Sequence, residues 1–426
     1  MMDCNRIREH LTNVLSDDFI EIRAEELGVL ERDRKIDVVT LVWTLILGWP
    51  AAAQRTLTSL RRAYMWAAGH CVARSSFYQR LSEHLMELME SCLEMLLGKA
   101  REQASAHHGR FLRHFDDVLA IDSTVVRLHE MLEDVYPGCA DDVASAKLDV
   151  VMNVADQTPN RLEIAEGKRS DQTFWTQIGS WVEDTLLLFD LGYYDFNFFH
   201  RIDQQGGRFI TRLKSDANPT IVTNHRTPRG NAIELEGKDL QDVIDRLQRK
   251  RLDVTVALEV EMQKYRGTCS TRIRHFRMVG QRHDETGEYH LYLTNIEPDM
   301  LETDDISETY RLRWQIELMF CQLRSHARLD ELPSQKEHVV RILIYASFLA
   351  LLVSRSFLRE LRSRDPGGFY PAKRCQAVFE SSARLLLQAV GEARRDDELS
   401  FFEWLAYEVR DPNLVRDRGM TAMYPL

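Results

Sequence analysis

Cysteine pairing is missing from this sequence. Its seven cysteines are an odd number and no two stand as C-x-x-C, which fits neither a disulfide framework nor a zinc site and points to a reduced cytoplasm. Long apolar runs are scarce as well. The two longest uncharged stretches, "VVTLVWTLILGWPAAAQ" and "ILIYASFLALLVS", are short for a bilayer crossing; the first contains Pro50 and the second lies between Arg341 and Arg355. Both read as core helices, so no membrane partner is expected. The start of the chain, "MMDCNRIREHLTNVLSDD", is too polar for a signal peptide. Acid is absent from Val38 to Ser82, a stretch that carries Arg55, Arg61, Arg62, Arg74 and Arg80. The formal net charge of −11 is therefore weak evidence against a nucleic-acid partner, because acid concentrates elsewhere, in Glu130 to Asp142 and Glu297 to Glu308. Repeats and low-complexity tracts are lacking too. What remains, 44% hydrophobic and 28% charged residues over 426 positions, is a globular composition with room for two to four domains.

Residues 1 to 110 carry helical apolar spacing. "QRTLTSLRRAYMWAA", a break at Gly69 and "ARSS", then "SFYQRLSEHLMELMESCLEML" describe helix, short turn, helix, the second opening with a capping-box spacing from Ser76 to Gln79. With Arg61, Arg62, Arg74 and Arg80 on both sides of the turn, the region is compatible with a helix-turn-helix that meets DNA.

From Phe111 the period changes. "DVLAID", "TVVRLH", "KLDVVMNVA" and "RLEIAEG" read as strands, "DQTFWTQIGSWVED" as a helix, "DTLLLFD" as a strand, "GYYDFNFFHRIDQQ" as a helix and "RFITRLK" as a strand. This α/β order over residues 111–215 matches an RNase H-like arrangement. Residues 216–300 follow as a β-rich insertion of three alternating strands, the core resumes over 301–335, and 336–426 return to helices. The last region is a candidate for dimerisation.

Asp122 in "VLAIDST" and Asp190 in "LLLFDLGY" end apolar strands, where ligands collect in open α/β sheets. Glu317 lies in "YRLRWQIELMFCQLR". There Tyr310, Arg313, Glu317 and Arg324 are spaced by three, four and seven residues and line one side of a helix. Leu312, Ile316, Met319 and Leu323 gather roughly opposite, but Trp314, Phe320 and Cys321 flank the charged row, so it is more than the solvated face of an amphipathic helix. Three carboxylates from separate elements form an open oxygen site of the kind that holds two Mg²⁺ or Mn²⁺ ions.

"AIDST", "FDLGY" and Y-x2-R-x3-E-x6-R, with the neighbouring "RW", "IELMF" and "YLTNI", resemble the DDE transposases of bacterial insertion sequences marked by Y-x2-R-x3-E-x6-K. The resemblance runs from about residue 117 to 355 and, through "ARSSFYQRL", weakly into the N-terminal helices. It implies an RNase H-like core in which Asp122, Asp190 and Glu317 bind two Mg²⁺, with Mn²⁺ as substitute. It also implies that Tyr310, Arg313 and Arg324 meet phosphates beside the scissile bond. Lys147, Arg212 and Lys214, at strand ends near the site, are further candidates for DNA contact. The implied reaction nicks terminal inverted-repeat DNA and joins the freed 3′-OH to target DNA, in a homodimer that pairs two ends, in a bacterial cytoplasm at the nucleoid. Arg324 departs from the family's lysine. Base flipping by the insertion does not carry over, since no tryptophan lies between Trp181 and Trp314. A nuclease or resolvase without strand transfer, and an inactive DNA-binding derivative, are the alternatives.

Overall fold

The computed structural model describes residues 4–29, 36–51, 56–103, 112–140, 143–175, 178–225, 234–261, 271–327, 329 and 332–391. Residues 392–426, expected to continue the C-terminal helices, lie outside the described residues.

The N-terminal region is helical, as its periodicity predicts: α1 (Cys4–Val14), α2 (Asp17–Glu26), α3 (Val38–Trp43), a π-helical turn (Thr44–Gly48), α4 (Trp49–Ala51), α5 (Leu57–Ala68), α6 (Arg74–Tyr78) and α7 (Glu83–Glu102). Side-chain caps set the starts. Thr56 accepts the Ser59 N–H, and Gly69 at φ 70° closes α5 in the left-handed conformation. The expected start at Ser76 is corrected: α6 stops at Tyr78, and the long helix begins after Ser82, whose Oγ accepts the Leu85 N–H at 3.3 Å. That start puts Leu85, Leu88, Met89, Cys92, Leu93 and Leu96 on one buried stripe.

Among the described residues nine strands follow in one sheet: β1 (Asp117–Arg127), β2 (Ser145–Asn153), β3 (Thr158–Glu166), β4 (Thr185–Phe189), β5 (Arg208–Arg212), β6 (Thr220–Asn224), β7 (Arg251–Glu261), β8 (Thr271–Arg282) and β9 (Tyr289–Thr294). Helix α8 (Phe196–Gln204) joins β4 to β5, and α9 (Leu240–Ile244) lies between β6 and β7. The order is β3-β2-β1-β4-β5-β9-β8-β7-β6. β1, β4 and β5 are parallel to their neighbours in that trio, and all other pairs are antiparallel. Then come α10 (Thr303–Arg311), α11 (Trp314–Ser325), α12 (Glu337–Arg364) and α13 (Ala372–Gly391).

Three sequence expectations change. The two runs around Asp122 are one strand, because β2 pairs with β1 along its length, from Leu119↔Asn153 to Arg127↔Ser145. The helix expected over residues 171–184 is instead a pair of 3₁₀ turns, Asp171–Thr173 and Ser180–Val182. Trp175 between them stands at φ 48°, outside helical space, with its indole N–H on Asp149. The β-rich insertion has four strands among the described residues, β6 to β9, where three were expected, and β9 pairs antiparallel with β5, Ile210↔Thr294 through Arg212↔Tyr292, so the insertion prolongs the same sheet.

Helix α12 is long and apolar enough to cross a membrane, yet 94% of its most apolar window is buried inside the protein. It is a core helix against α7 and α13, as read from its flanking arginines. Tyr345 on α12 donates to Glu90 on α7 at 2.6 Å, tying the helical region together.

A buried ion pair fastens the insertion to the helices beyond it. Arg277 on β8 grips Asp253 on β7 with two hydrogen bonds of 2.9 and 2.7 Å, both side chains under a tenth exposed. Arg277 also donates to the Leu301 carbonyl at 2.8 Å, and Thr303 at the start of α10 donates to Asp253 at 2.9 Å. Every charge is matched, so losing one partner leaves a buried orphan. Asp253→Ala should lower unfolding free energy by about 3–5 kcal/mol, and Asp253→Leu with Arg277→Met should recover part of that; urea denaturation of both variants provides the test.

Candidate active site

Parallel pairing of β1 with β4 ends at Ile121↔Phe189. The next residues are Asp122, inside β1 just beyond its pairing with β4, and Asp190, just past the end of β4, so the register alone sets two carboxylates side by side where the parallel pairing stops. Each is oriented by a backbone donor. Asp122 Oδ1 accepts the Ser123 N–H and Asp190 Oδ1 the Gly192 N–H, both at 2.8 Å. Gly192 must be small, because a Cβ there would stand 2.8 Å from Asp171 Oδ2 and 3.0 Å from Asp190 Oδ1.

The single helix expected to carry the charged row is two. α10 ends at Arg311, and a tight turn closed by Arg313 N–H to Tyr310 O and Ile316 N–H to Arg313 O, both 3.1 Å, leads into α11. The row still faces one way, toward the sheet. Tyr310 donates to the Phe189 carbonyl at 3.4 Å, next to Asp190. Arg313 reaches Asp122 Oδ2 with Nη1 at 3.3 Å and Glu317 Oε1 with Nη2 at 2.5 Å. Arg324 donates to Thr124 Oγ1, two residues beyond Asp122. At 16% side-chain exposure for Arg313 and Asp122 and 30% for Glu317, the cluster is a partly covered cleft rather than a solvated helix face.

Crowded charge shows in the proton affinities. Burial, then the Asp190 charge, raise Asp122 to about 7, with Glu317 adding to the rise, while the Ser123 N–H and Arg313 oppose it. Burial pushes the Tyr310 phenol up to about 12, so it remains a neutral donor.

A second tier lies beneath, and sequence reasoning missed it. Asp171 Oδ1 accepts from Ser123 Oγ at 2.8 Å and Lys147 Nζ at 3.1 Å. Asp149, fully buried on β2, accepts from Trp175 Nε1 at 2.5 Å and from the Tyr193 hydroxyl. It thereby joins the turn bearing Asp171 to the turn bearing Asp190. An acid inside the apolar run "KLDVVMNVA" was the available signal for Asp149; Asp171, on a 3₁₀ turn, had none.

The other candidates divide by position. Lys147 is engaged inward by Asp171 and by the Arg169 carbonyl at 2.6 Å. Arg212 is exposed at the end of β5, 3.4 Å from His290 Nδ1 and near enough to Tyr310 to act on its charge. Lys214 lies over the Tyr194 ring at 4.9 Å. Arg61, Arg62, Arg74 and Arg80 sit on or beside α5 and α6. Arg61 is used on the Val72 carbonyl at 2.6 Å and Arg74 on the Tyr78 hydroxyl at 3.2 Å.

The donor set of Asp122, Asp190 and Glu317 is all carboxylate oxygen, suited to a hard divalent cation. In this conformation no group of three or more His, Cys, Asp or Glu among the described residues closes on a single point. The Arg313 guanidinium lies between two of the three acids.

A carboxyl whose folded pKa is raised binds its proton more tightly when folded, so stability grows as pH falls through about 7 and is lacking above it. In EDTA at pH 8, Asp122→Asn should therefore raise unfolding free energy by about 1–3 kcal/mol, the gain shrinking toward pH 5. Denaturation at the two pH values is the check, and equal stability at pH 8 would contradict the crowding of charge.

Comparison with known proteins gives the family. Residues 113–353 match the family described as Transposase DDE domain. The transposase for insertion sequence element IS231F of Bacillus thuringiensis subsp. israelensis is 22% identical over 387 residues, 83% of this chain and 80% of that protein. The IS1151 transposase of Clostridium perfringens is 21% identical over 329 residues, 71% and 70% of the two chains. A piggyBac transposase synaptic complex with hairpin DNA is similar in structure over 90% of this chain and 80% of that one, with a TM-score of 0.44 and 9% identity. DDE transposases use divalent metal ions in catalysis. With a family match across more than half its length, the chain belongs to the DDE transposases of bacterial insertion sequences and is a DNA transposase, an enzyme of DNA cleavage and transfer.

Proposed function

We propose that β1 to β5 with α10 and α11 form an RNase H-like catalytic core in which Asp122, Asp190 and Glu317 hold two Mg²⁺ ions, Mn²⁺ substituting. The reading is supported above all by the convergence of acids from β1 and α11 on one guanidinium, with Asp190 brought beside Asp122 by strand register. When bound, the ions supply activation of water and of the 3′-OH and neutralise charge at phosphorus.

The chain's own residues have the remaining work. Arg313 exchanges Asp122 and Glu317 for a phosphate oxygen as DNA arrives, which frees both acids for the cations. Tyr310, a neutral donor beside the end of β4, and Arg324, beside Thr124, contact neighbouring phosphates on the same strand. Lys147 supports the site through Asp171, and Arg212 and Lys214 extend the basic rim. Residues 1–110, with Arg61, Arg62, Arg74 and Arg80, contact terminal inverted-repeat DNA, and residues 336–426 serve pairing of two protomers on two ends. The products are a nicked end and its 3′-OH joined to target DNA, in a bacterial cytoplasm.

The experiment uses a labelled duplex carrying the inverted repeats that flank the gene, with Mg²⁺ or Mn²⁺. Glu317→Gln should abolish cleavage, by roughly 10³-fold or more, with end binding retained. Equal cutting by both proteins would remove Glu317 from the site, and cutting without joined products would favour a nuclease. Arg324→Lys should stay within about tenfold of the wild type, because the charge is kept and only the fork is lost.

A further inference from the structure

Arg355 is a fully buried cation on α12 with no carboxylate in its grip among the described residues. Its exposure is 1%, and its three hydrogen bonds go to neutral oxygens: Gln322 Oε1 at 2.6 Å, Gln157 O at 3.1 Å and Ala372 O at 3.3 Å. A site that needed only packing would do as well or better with an apolar side chain of similar volume. Something else must be gained from the guanidinium.

Its acceptors suggest what. Gln322 is on α11. Gln157 is in the β2–β3 turn at φ 57°, and its side-chain amide donates to Gln315 Oε1, also on α11, at 2.7 Å. The same turn is tied to α12 a second time by Asp156 and Arg359 at 3.4 Å. Gln315 and Gln322 are seven residues apart and so share one side of the helix. Glu317 and Arg324 are also seven apart, roughly 140–160° further round at 100° per residue. Arg324 meets Thr124 on β1, and Glu317 meets Arg313, which reaches Asp122 on β1. Two points on the back of α11 are thus held by one junction, while on the front Arg324 meets the sheet directly and Glu317 meets it through Arg313. That arrangement opposes both rotation and sliding of the helix.

We infer that Arg355, with Gln157, Gln315 and Gln322, is a positioning lock for α11 that sets where Glu317 stands relative to Asp122 and Asp190. The inference rests on the catalytic reading of Glu317. Donor placement within about half an ångström is what such sites demand, and a 1 Å error costs on the order of 10²-fold in rate. The lock is assembled from three separate elements, α11, α12 and the β2–β3 turn, and it acts through Glu317 without touching DNA.

The test uses the full chain and the inverted-repeat duplex, measuring single-turnover cleavage at saturating DNA, end-DNA affinity, thermal midpoint and Mn²⁺ affinity by calorimetry. Gln322→Met removes the acceptor at nearly constant volume. It should slow cleavage about tenfold or more and weaken Mn²⁺ binding severalfold, with DNA affinity unchanged within twofold. Gln322→Glu keeps an oxygen for Arg355 and should restore both rate and Mn²⁺ affinity. Gln315→Ala, which leaves Arg355 fully bonded and so spares the fold, should move both in the same direction as Gln322→Met. Losses that merely follow the thermal midpoint, or Gln322→Glu as impaired as Gln322→Met, would overturn the lock. A run with Glu317→Gln separates the two readings: equal cutting there sinks the catalytic assignment and the lock with it. Loss in Glu317→Gln beside full activity in Gln322→Met and Gln315→Ala sinks the lock alone.

Discussion

Negative charge gathered where two adjacent strands stop pairing is what this structure must contain, and one guanidinium contains it. Arg313 holds Asp122 on β1 and Glu317 on α11 at once, while Asp190 beside Asp122 accepts the Gly192 N–H, with the Tyr310 contact to the Phe189 carbonyl nearby. Repulsion and burial raise the proton affinity of Asp122. On the proposed reading the same crowding is what divalent cations would relieve. Arg313 is the counter-ion of the cluster and, on that reading, the group that moves.

The elements around the cluster are arranged so that this costly site keeps its shape. Below it, Asp149 ties the turns of Asp171 and Asp190 together through Trp175 and Tyr193. On the far side of α11, Arg355 and the β2–β3 turn hold Gln322 and Gln315. Beyond the prolonged sheet, the Arg277–Asp253 pair fastens the entry of α10. Each is a buried polar group with its partners present, and each orients more than it stabilises.

Much of the fold was legible along the chain. β2 to β5, β7 to β9, α5, α8 and the core character of α12 follow from periodicity, because each buries one face or both. Legibility failed where a contact distant in sequence overrode local pattern. The run 171–184 has helical spacing, but Trp175 is pulled out of helix by a carboxylate on β2. Ser76 has the spacing of a cap, but burial of the α7 stripe selects Ser82. In the charged row Arg313 and Glu317 are half-buried against the sheet, but Arg324 is exposed, as are Trp314 and Cys321, two of the three flanking residues that argued against a solvated face, and the break at Leu312 and Arg313 was not visible in its regular spacing.

By itself the sequence determined the chemistry: carboxylates after apolar strands, a tyrosine and two arginines in phase with a glutamate, and an acid-free arginine-rich stretch. These are properties of residue type and interval, and interval survives folding. Tertiary structure alone decided the rest. Whether β9 joins β5, which turn Asp171 occupies, whether Lys147 points outward or inward, and what Arg355 holds all depend on pairs far apart in the chain, whose proximity is a property of packing that no local pattern carries.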